Sequence, residues 1–467
     1  MSASDADLER ESAALRRELK VGDLVLSQII FVVGSTWVGT AGKLGAQHLV
    51  LWLVAAALFF VPHVVVVVFL NRWRPLEGGL YQWAKHGFGD LCGFLVAFNL
   101  WVYVIVLVSG TGLVIATYLA YIGAWGAELA KSHAFVVVAT CTSTIVLAAA
   151  TAIGLRVGKW VHNFGGASRI ALYLILMLLP LLHVLTGERV EKYSLEFAAP
   201  TASLLTLNIL GKMGFGAFSG FEYVAIFAGE SRGGAKAFAR AVSIAAPIVV
   251  AMFVLGTASV TAFVPADEID LIAPLPQALA RGATAHTRWL APLAALTLAL
   301  AEVSYGSTAF SGITRLPLVA GWDGLLPAWF TRLHPTWRTP TNSIAFVAVV
   351  TIVLGLAGTA GVGAQEAYQL IANAALVLYA LTYVVMFALP IAAPKMNPAP
   401  PIWLRVLSAS GLAMTLLFIV LAVVPIVTVE SRVAFALKVG SVVVVANALG
   451  VALYFASTRR ANGARAA

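Results

Sequence analysis

The sequence predicts an all-α integral membrane protein of about twelve transmembrane helices, and three observations carry that expectation. Of its 467 residues, 60% are hydrophobic and only 11% are charged, against about half and about a quarter in a soluble domain. Apolar runs of about twenty residues, the length a helix needs to cross the hydrocarbon core, recur from end to end. The basic residues fall unevenly on the polar breaks between those runs. Too few charges remain to cover the three or so soluble domains that length alone would suggest.

The spans are expected near 22–42, 48–70, 91–121, 134–154, 165–186, 204–228, 242–264, 288–313, 342–358, 367–390, 403–427 and 433–456. An even number places both termini on one side. Of the 30 Lys and Arg residues, 21 lie on that side, 8 lie opposite, and Lys212 stands inside a span. The positive-inside rule makes both termini cytoplasmic in a cell membrane. The net charge of +9 then reports topology and attraction to anionic lipid headgroups, and calls for no nucleic acid. Residues 1–21 are charged with mixed sign and have no apolar core before a cleavage site, so they read as a tail, not a signal peptide. Two cysteines, Cys92 and Cys141, are too few for a disulfide framework or a Cys-rich metal site. Pro75 to Ala84 mixes a glycine pair with Tyr81 and Trp83, as an interfacial or re-entrant helix would.

Two spans carry signals of a break. The first contains Gly34-Ser35-Thr36-Trp37, and the sixth contains Gly214-Phe215-Gly216-Ala217-Phe218-Ser219-Gly220. Glycines in a membrane helix commonly serve packing, and Gly216 and Gly220 have the spacing for it. Here the two segments occupy matched places, each opening one half of a five-plus-five (5+5) inverted repeat. That arrangement predicts a transporter whose half-helix ends meet at a midplane site. Positive helix ends would hold a carboxylate there, and freed carbonyls a cation or ammonium.

These residues resemble the amino acid–polyamine–organocation (APC) transporter superfamily over nearly the whole chain. Gly34-Ser35-Thr36 is similar to its small-residue break in the first helix, and Pro75 to Gly89 to its Pro-x-x-Gly-Gly-x-Tyr signature. Phe218 to Glu222, Ala228 to Arg232 and Arg240-Ala241-Val242 resemble its sixth helix and the following loop. Arg315, Asp323 to Pro327 and Thr339-Pro340 resemble a later cytoplasmic loop. The resemblance implies a LeuT-like transport core over 22–390, with repeats of about 22–186 and 204–390. Two additional helices over 391–456 and a cytoplasmic tail over 457–467 would follow. It also implies substrate contacts at Gly34, Ser35, Thr36, Phe218, Ser219 and Gly220, and Trp37 beside them is expected to belong to the same substrate-binding set.

Three departures from the family pattern matter. Thr36 and Trp37 stand where a glycine and an aliphatic are usual, and Gly216 stands where an aromatic gate is common. Trp37 is therefore expected to fill space that Gly216 leaves. Arg169 stands near the place of a lysine that replaces sodium in sodium-independent members. A guanidinium mimics a fixed cation and does not release a proton near neutral pH. The alternative is an Arg169 that snorkels to the cytoplasmic end of its helix.

Ionisable groups inside the membrane face a cavity or each other. Glu222, directly after the second break, is the candidate for carrying a proton, binding a substrate amine, or capping a helix end. Lys212 and Glu302 are a possible buried pair, structural or functional, and Glu302 facing the cavity would favour a cationic substrate. His63 and His183 read as satisfied interior groups, and Trp101 and Tyr103 as packing or cavity walls.

No P-loop, Gly-x-Ser-x-Gly elbow or His-Glu-x-x-His site occurs, so neither an enzyme nor a metal or other cofactor is expected. The expected partners are a small amino acid or amine, the lipid bilayer and protons. The leading reading is a sodium-independent secondary transporter, proton-coupled or an exchanger. A polyamine or cationic amine carrier and a non-transporting receptor of the same fold stay open beside it.

Overall fold

The computed structural model describes residues 19–74, 79–185, 193, 195–223, 232–284, 286–322, 326–358, 363–393, 396 and 399–466. Helices make up its regular structure. In chain order these are α1 (Val21–Val32), α2 (Ser35–Gly42), α3 (Gly45–Trp73), α4 (Leu80–Phe88), α5 (Asp90–Leu119), α6 (Ala124–Lys131), α7 (His133–Ile153), α8 (Leu155–Leu185) and α9 (Leu204–Ala217). They continue as α10 (Gly234–Thr261), α11 (Pro274–Arg281), α12 (Leu290–Trp322), α13 (Ala328–Thr331), α14 (Thr341–Gly358), α15 (Ala364–Ala392), α16 (Ile402–Leu421) and α17 (Arg432–Ala466).

Among the described residues nine helices are long and apolar enough to cross a bilayer, or ten if the bent pair α1 and α2 is one span. The shorter apolar helices α9 and α14 occupy two more of the expected positions. Several helices outrun the apolar runs that predicted them. α8 begins at Leu155 rather than 165, α12 runs on to Trp322, and α17 continues to Ala466 through most of the segment expected as a tail. A helix satisfies its backbone internally, so it needs no lipid to continue past the hydrocarbon edge. The charges that end an apolar run do not end the helix.

α15 is the most buried of the spans, packed against α5 on one side and α16 on another, whereas α17 is the least buried. Prolines 180, 247, 317 and 390 lie within helices, where membrane helices tolerate them if the freed carbonyls find donors. Pro62 shows how. It follows a π-helical turn, Ala56–Phe60, and has no N–H for the Leu58 carbonyl. The Ser410 hydroxyl of α16 donates there at 2.7 Å.

Residues 75–78 of the signature segment lie outside the described residues. From Leu80 onward it forms α4, with Tyr81 and Trp83 buried against α5 and α15. Gly89, at φ +102°, then turns the chain directly into α5, a conformation that a residue with a Cβ rarely adopts. Of the resemblance in the later loops, residues 228–231 and 323–325 also lie outside the described residues.

Candidate functional site

The first break lies at Val33 and Gly34, where α1 and α2 meet at 44°. Two side chains of α8 serve the carbonyls it frees. Arg169 donates from Nη1 to the Val33 carbonyl, and the Tyr173 hydroxyl donates to that of Gly34 at 3.3 Å. Residues four apart share a helix face, so both reach the same break. From its other amino group Arg169 meets the Glu302 carboxylate of α12 at 3.3 Å, and its guanidinium lies over the Tyr305 ring at 5.7 Å. On the far side of the break, Ser35 Oγ lies 2.7 Å from the Tyr118 hydroxyl.

The second break follows α9, whose last turn, Lys212–Ala217, is π-helical. Such turns leave the regular hydrogen-bond ladder and often mark functional sites. The chain then runs unwound through Ser219 and Gly220, with Gly220 at φ +116°. Glu222 holds this stretch in place. It accepts hydrogen bonds from the Tyr379 and Tyr383 hydroxyls of α15 and meets His63 Nε2 of α3 at 2.9 Å. His63 Nδ1 faces the Phe218 carbonyl at 3.0 Å, and the Gly220 amide donates to the Tyr383 hydroxyl at 2.8 Å.

The two breaks touch. Phe31 stacks on Tyr223 with centroids 4.3 Å apart, and a Cβ on Gly220 would meet the Phe31 ring at 2.7 Å. Glycine is required there by both the backbone angle and the approach of α1. Beside this contact lies a cavity of about 100 Å³. Gly34, Ser35, Thr36 and Trp37 wall it from the first break, Gly216 and Ser219 from the second, and Arg169 and Glu302 from α8 and α12. Tyr103, Tyr118, Tyr305 and Tyr368 supply aromatic walls.

The arrangement departs from expectation in three places. Phe218 does not face the cavity; its ring is fully buried among Trp52, Phe60 and Phe253, because the turn at Gly220 directs it towards α3 and α10. Gly220 and Glu222 stand behind the cavity wall, not on it. Lys212 and Glu302 are not a pair: Glu302 faces Arg169, whereas Lys212 donates to Asn373 of α15 at 3.0 Å. Helix order separates them, since Lys212 lies on the turn before the break and Glu302 faces α8. His63 is the satisfied interior group expected, fully buried with both ring nitrogens engaged, and one of its partners is Glu222.

Arg169 is 3% exposed and does not snorkel. Trp37 lies against Gly216, where a Cβ would meet its ring carbons at 2.5 to 3.2 Å. His183 bonds the Leu179 carbonyl within its own helix. Trp101 lines a separate apolar crevice with Phe94 and Phe346, while Tyr103 walls the main cavity and stacks on Tyr379 at 4.2 Å.

At one end of the cavity, α11 closes over α2, and a Cβ on Gly39 would meet Pro274 at 2.9 Å. Asp270 ties this closure together. It accepts from the Tyr121 hydroxyl at 3.0 Å, from Gln365 at 2.9 Å and from the Ile272 amide at 2.8 Å. Burial, aided by the Asp270 charge, pushes the Tyr121 phenol far above its ordinary range. Burial lowers the nearby Lys43 ammonium against the opposing pull of Asp267 and Asp270.

The amino acid permease family profile matches residues 21–452. An uncharacterized transporter of Legionella pneumophila is 24% identical over 83% of this chain and 83% of its own length. A probable agmatine/putrescine antiporter of Lactococcus lactis is 21% identical over 83% and 82%. A branched-chain amino acid permease of Bacillus subtilis is 23% identical over 78% and 81%.

Proposed function

The chain belongs to the amino acid permease family, and from that premise we propose a sodium-independent secondary transporter that takes its substrate between the two broken helices. Membership makes it a multi-pass membrane transporter of amino acids or amines rather than an enzyme. The finer reading rests on one observation: both breaks line a single cavity, the first held by Arg169 of α8 and the second by His63 of α3 and Tyr383 of α15.

The substrate's carboxylate lies at the amides opened by Gly34 to Thr36 and Ser219, and its ammonium at the cavity's carbonyls and Glu302. The 5+5 repeat over 22–390 gives alternating access, with closure at Asp270 guarding the end opposite the cytoplasm. Both termini are cytoplasmic. The Arg169 guanidinium takes the place of a sodium ion at the Val33 carbonyl, a fixed cation that never leaves.

Glu222 and His63 carry the coupled proton, and the hydrogen-bond inventory supports this. The Phe218 carbonyl only accepts, so His63 Nδ1 bears a hydrogen. The Tyr379 and Tyr383 hydroxyls donate to the two oxygens of Glu222. The close contact between His63 Nε2 and Glu222 therefore needs one further proton, shared by the pair. Losing it sets a nitrogen lone pair against an oxygen lone pair and loosens the stretch from Phe218 to Gly220. Proton release is thereby linked to movement at the substrate site.

The test is purified protein in liposomes with labelled amino acids and polyamines, under imposed pH or sodium gradients. Uptake driven by an inward proton gradient and indifferent to sodium is expected. Sodium-driven uptake would contradict the role of Arg169. Exchange without response to pH would remove Glu222 and His63 from coupling, and binding without transport of any compound would favour a receptor.

A further inference from the structure

Next to the cavity lies a side chamber of about 20 Å³, lined by Lys212, Asn373, Gln369, Thr36, Thr40 and Tyr368. Thr36, Trp37 and Tyr368 wall both spaces, so the chamber adjoins the cavity. Lys212 is 4% exposed, and its ammonium donates to the Asn373 carbonyl oxygen at 3.0 Å. The amide nitrogen of Asn373 is committed to the Ala422 carbonyl at 2.7 Å, which fixes the side chain with its oxygen towards Lys212.

No carboxylate lies within salt-bridge reach of Lys212 among the described residues. Its other close neighbour is the Phe418 ring, at 5.8 Å. Among the described residues Glu302 faces Arg169 and Glu222 faces His63, so neither carboxylate is turned to Lys212. A buried ammonium with only a neutral partner is costly, and ionisable groups at such depth mark substrate or ion paths.

We propose that Lys212, oriented by Asn373, is a subsite for the second carboxylate of a dicarboxylic amino acid whose α-amino and α-carboxylate groups rest at the two breaks. The inference rests on the transport reading above and names the substrate class for it. The chamber alone holds about one water molecule, so a carboxylate reaches Lys212 only when the chamber opens to the main cavity. Trp37, which lines both spaces and lies against Gly216, is the side chain whose rotation would open it. A substrate with a cationic side chain would meet a like charge there, whereas a carboxylate gives Lys212 a counter-charge that its neighbours among the described residues, Asn373 and Phe418, do not supply.

The test compares L-glutamate and L-aspartate with L-glutamine and L-asparagine, pairs that differ little in shape and by one charge. In proteoliposomes the acids should half-saturate uptake at concentrations at least tenfold below their amides. Lys212→Met should cut the acid-to-amide ratio at least tenfold. In detergent, L-glutamate should raise the unfolding temperature of the native protein more than L-glutamine does, and Lys212→Met should remove the difference. Amide uptake without preference for the acids overturns the subsite and leaves transport standing. No uptake of any compound, with Lys212-dependent stabilisation by glutamate, upholds the subsite and overturns transport. Neither uptake nor stabilisation overturns both. Lys212-dependent stabilisation by sodium chloride over sodium gluconate, with none by glutamate, makes the chamber a chloride site and overturns the proposal.

Discussion

Arg169→Met is expected to abolish uptake and to destabilise the protein, since it strips three groups of their partner at once. Glu302 is left as a buried carboxylate without its cation, and the Val33 carbonyl without its donor. The Tyr305 ring also loses the guanidinium above it. Removing one partner of a buried pair costs about 3–5 kcal/mol, because the other charge stays buried and unmatched. Adding Glu302→Gln should recover much of the stability and none of the transport, since the charge is then gone but the first break still lacks its cation. Thermal unfolding in detergent and uptake in liposomes separate the two effects. Uptake within twofold of the native protein would show that the break does not depend on Arg169.

Glu222→Gln should uncouple transport from protons while keeping the fold of the second break. The amide oxygen still accepts from one tyrosine, and the amide nitrogen still donates to His63 Nε2. The variant thus resembles a carrier that never releases its proton. Such a carrier can exchange substrate across the membrane but returns empty only with difficulty. Net accumulation should fall at least tenfold more than exchange does, and the pH dependence of uptake should flatten. An unchanged pH profile would take Glu222 out of the proton path. Measuring labelled-substrate counterflow beside gradient-driven uptake gives both numbers from one preparation.

Much of the fold was legible because the bilayer imposes simple lengths. A run of about twenty apolar residues is a span whatever it packs against, and so the helical class and most span positions followed from the sequence. The place of the first break, at Gly34, was readable from small residues in an otherwise apolar helix. The ends of α8, α12 and α17 were not, because backbone hydrogen bonding carries a helix past the apolar segment that announces it.

Partners were the illegible part of the site. His63 and Glu222 lie 159 residues apart in sequence, and hydropathy tells which residues are buried but not which face each other. The same limit explains the pairing of Lys212 with Glu302 expected from their rarity alone. Once α8 brings Arg169 to the first break, it takes Glu302, and Lys212 is left with a neutral asparagine. Tyr379 and Tyr383 follow the same logic. Four apart on one helix, they share a face, yet only the fold brings Glu222 to it.

The central claim is that substrate binds in the cavity between the two breaks, and thiol protection at Ser35 tests it most directly. Cys92 and Cys141 are first replaced by serine, and Ser35→Cys then places a reactive group on the cavity wall. Labelling by a small, membrane-impermeant methanethiosulfonate is followed in liposomes with and without saturating transported substrate. Substrate is predicted to slow the labelling at least fivefold, while a compound that is not transported leaves it unchanged. Labelling that proceeds at the same rate with saturating transported substrate would contradict the account.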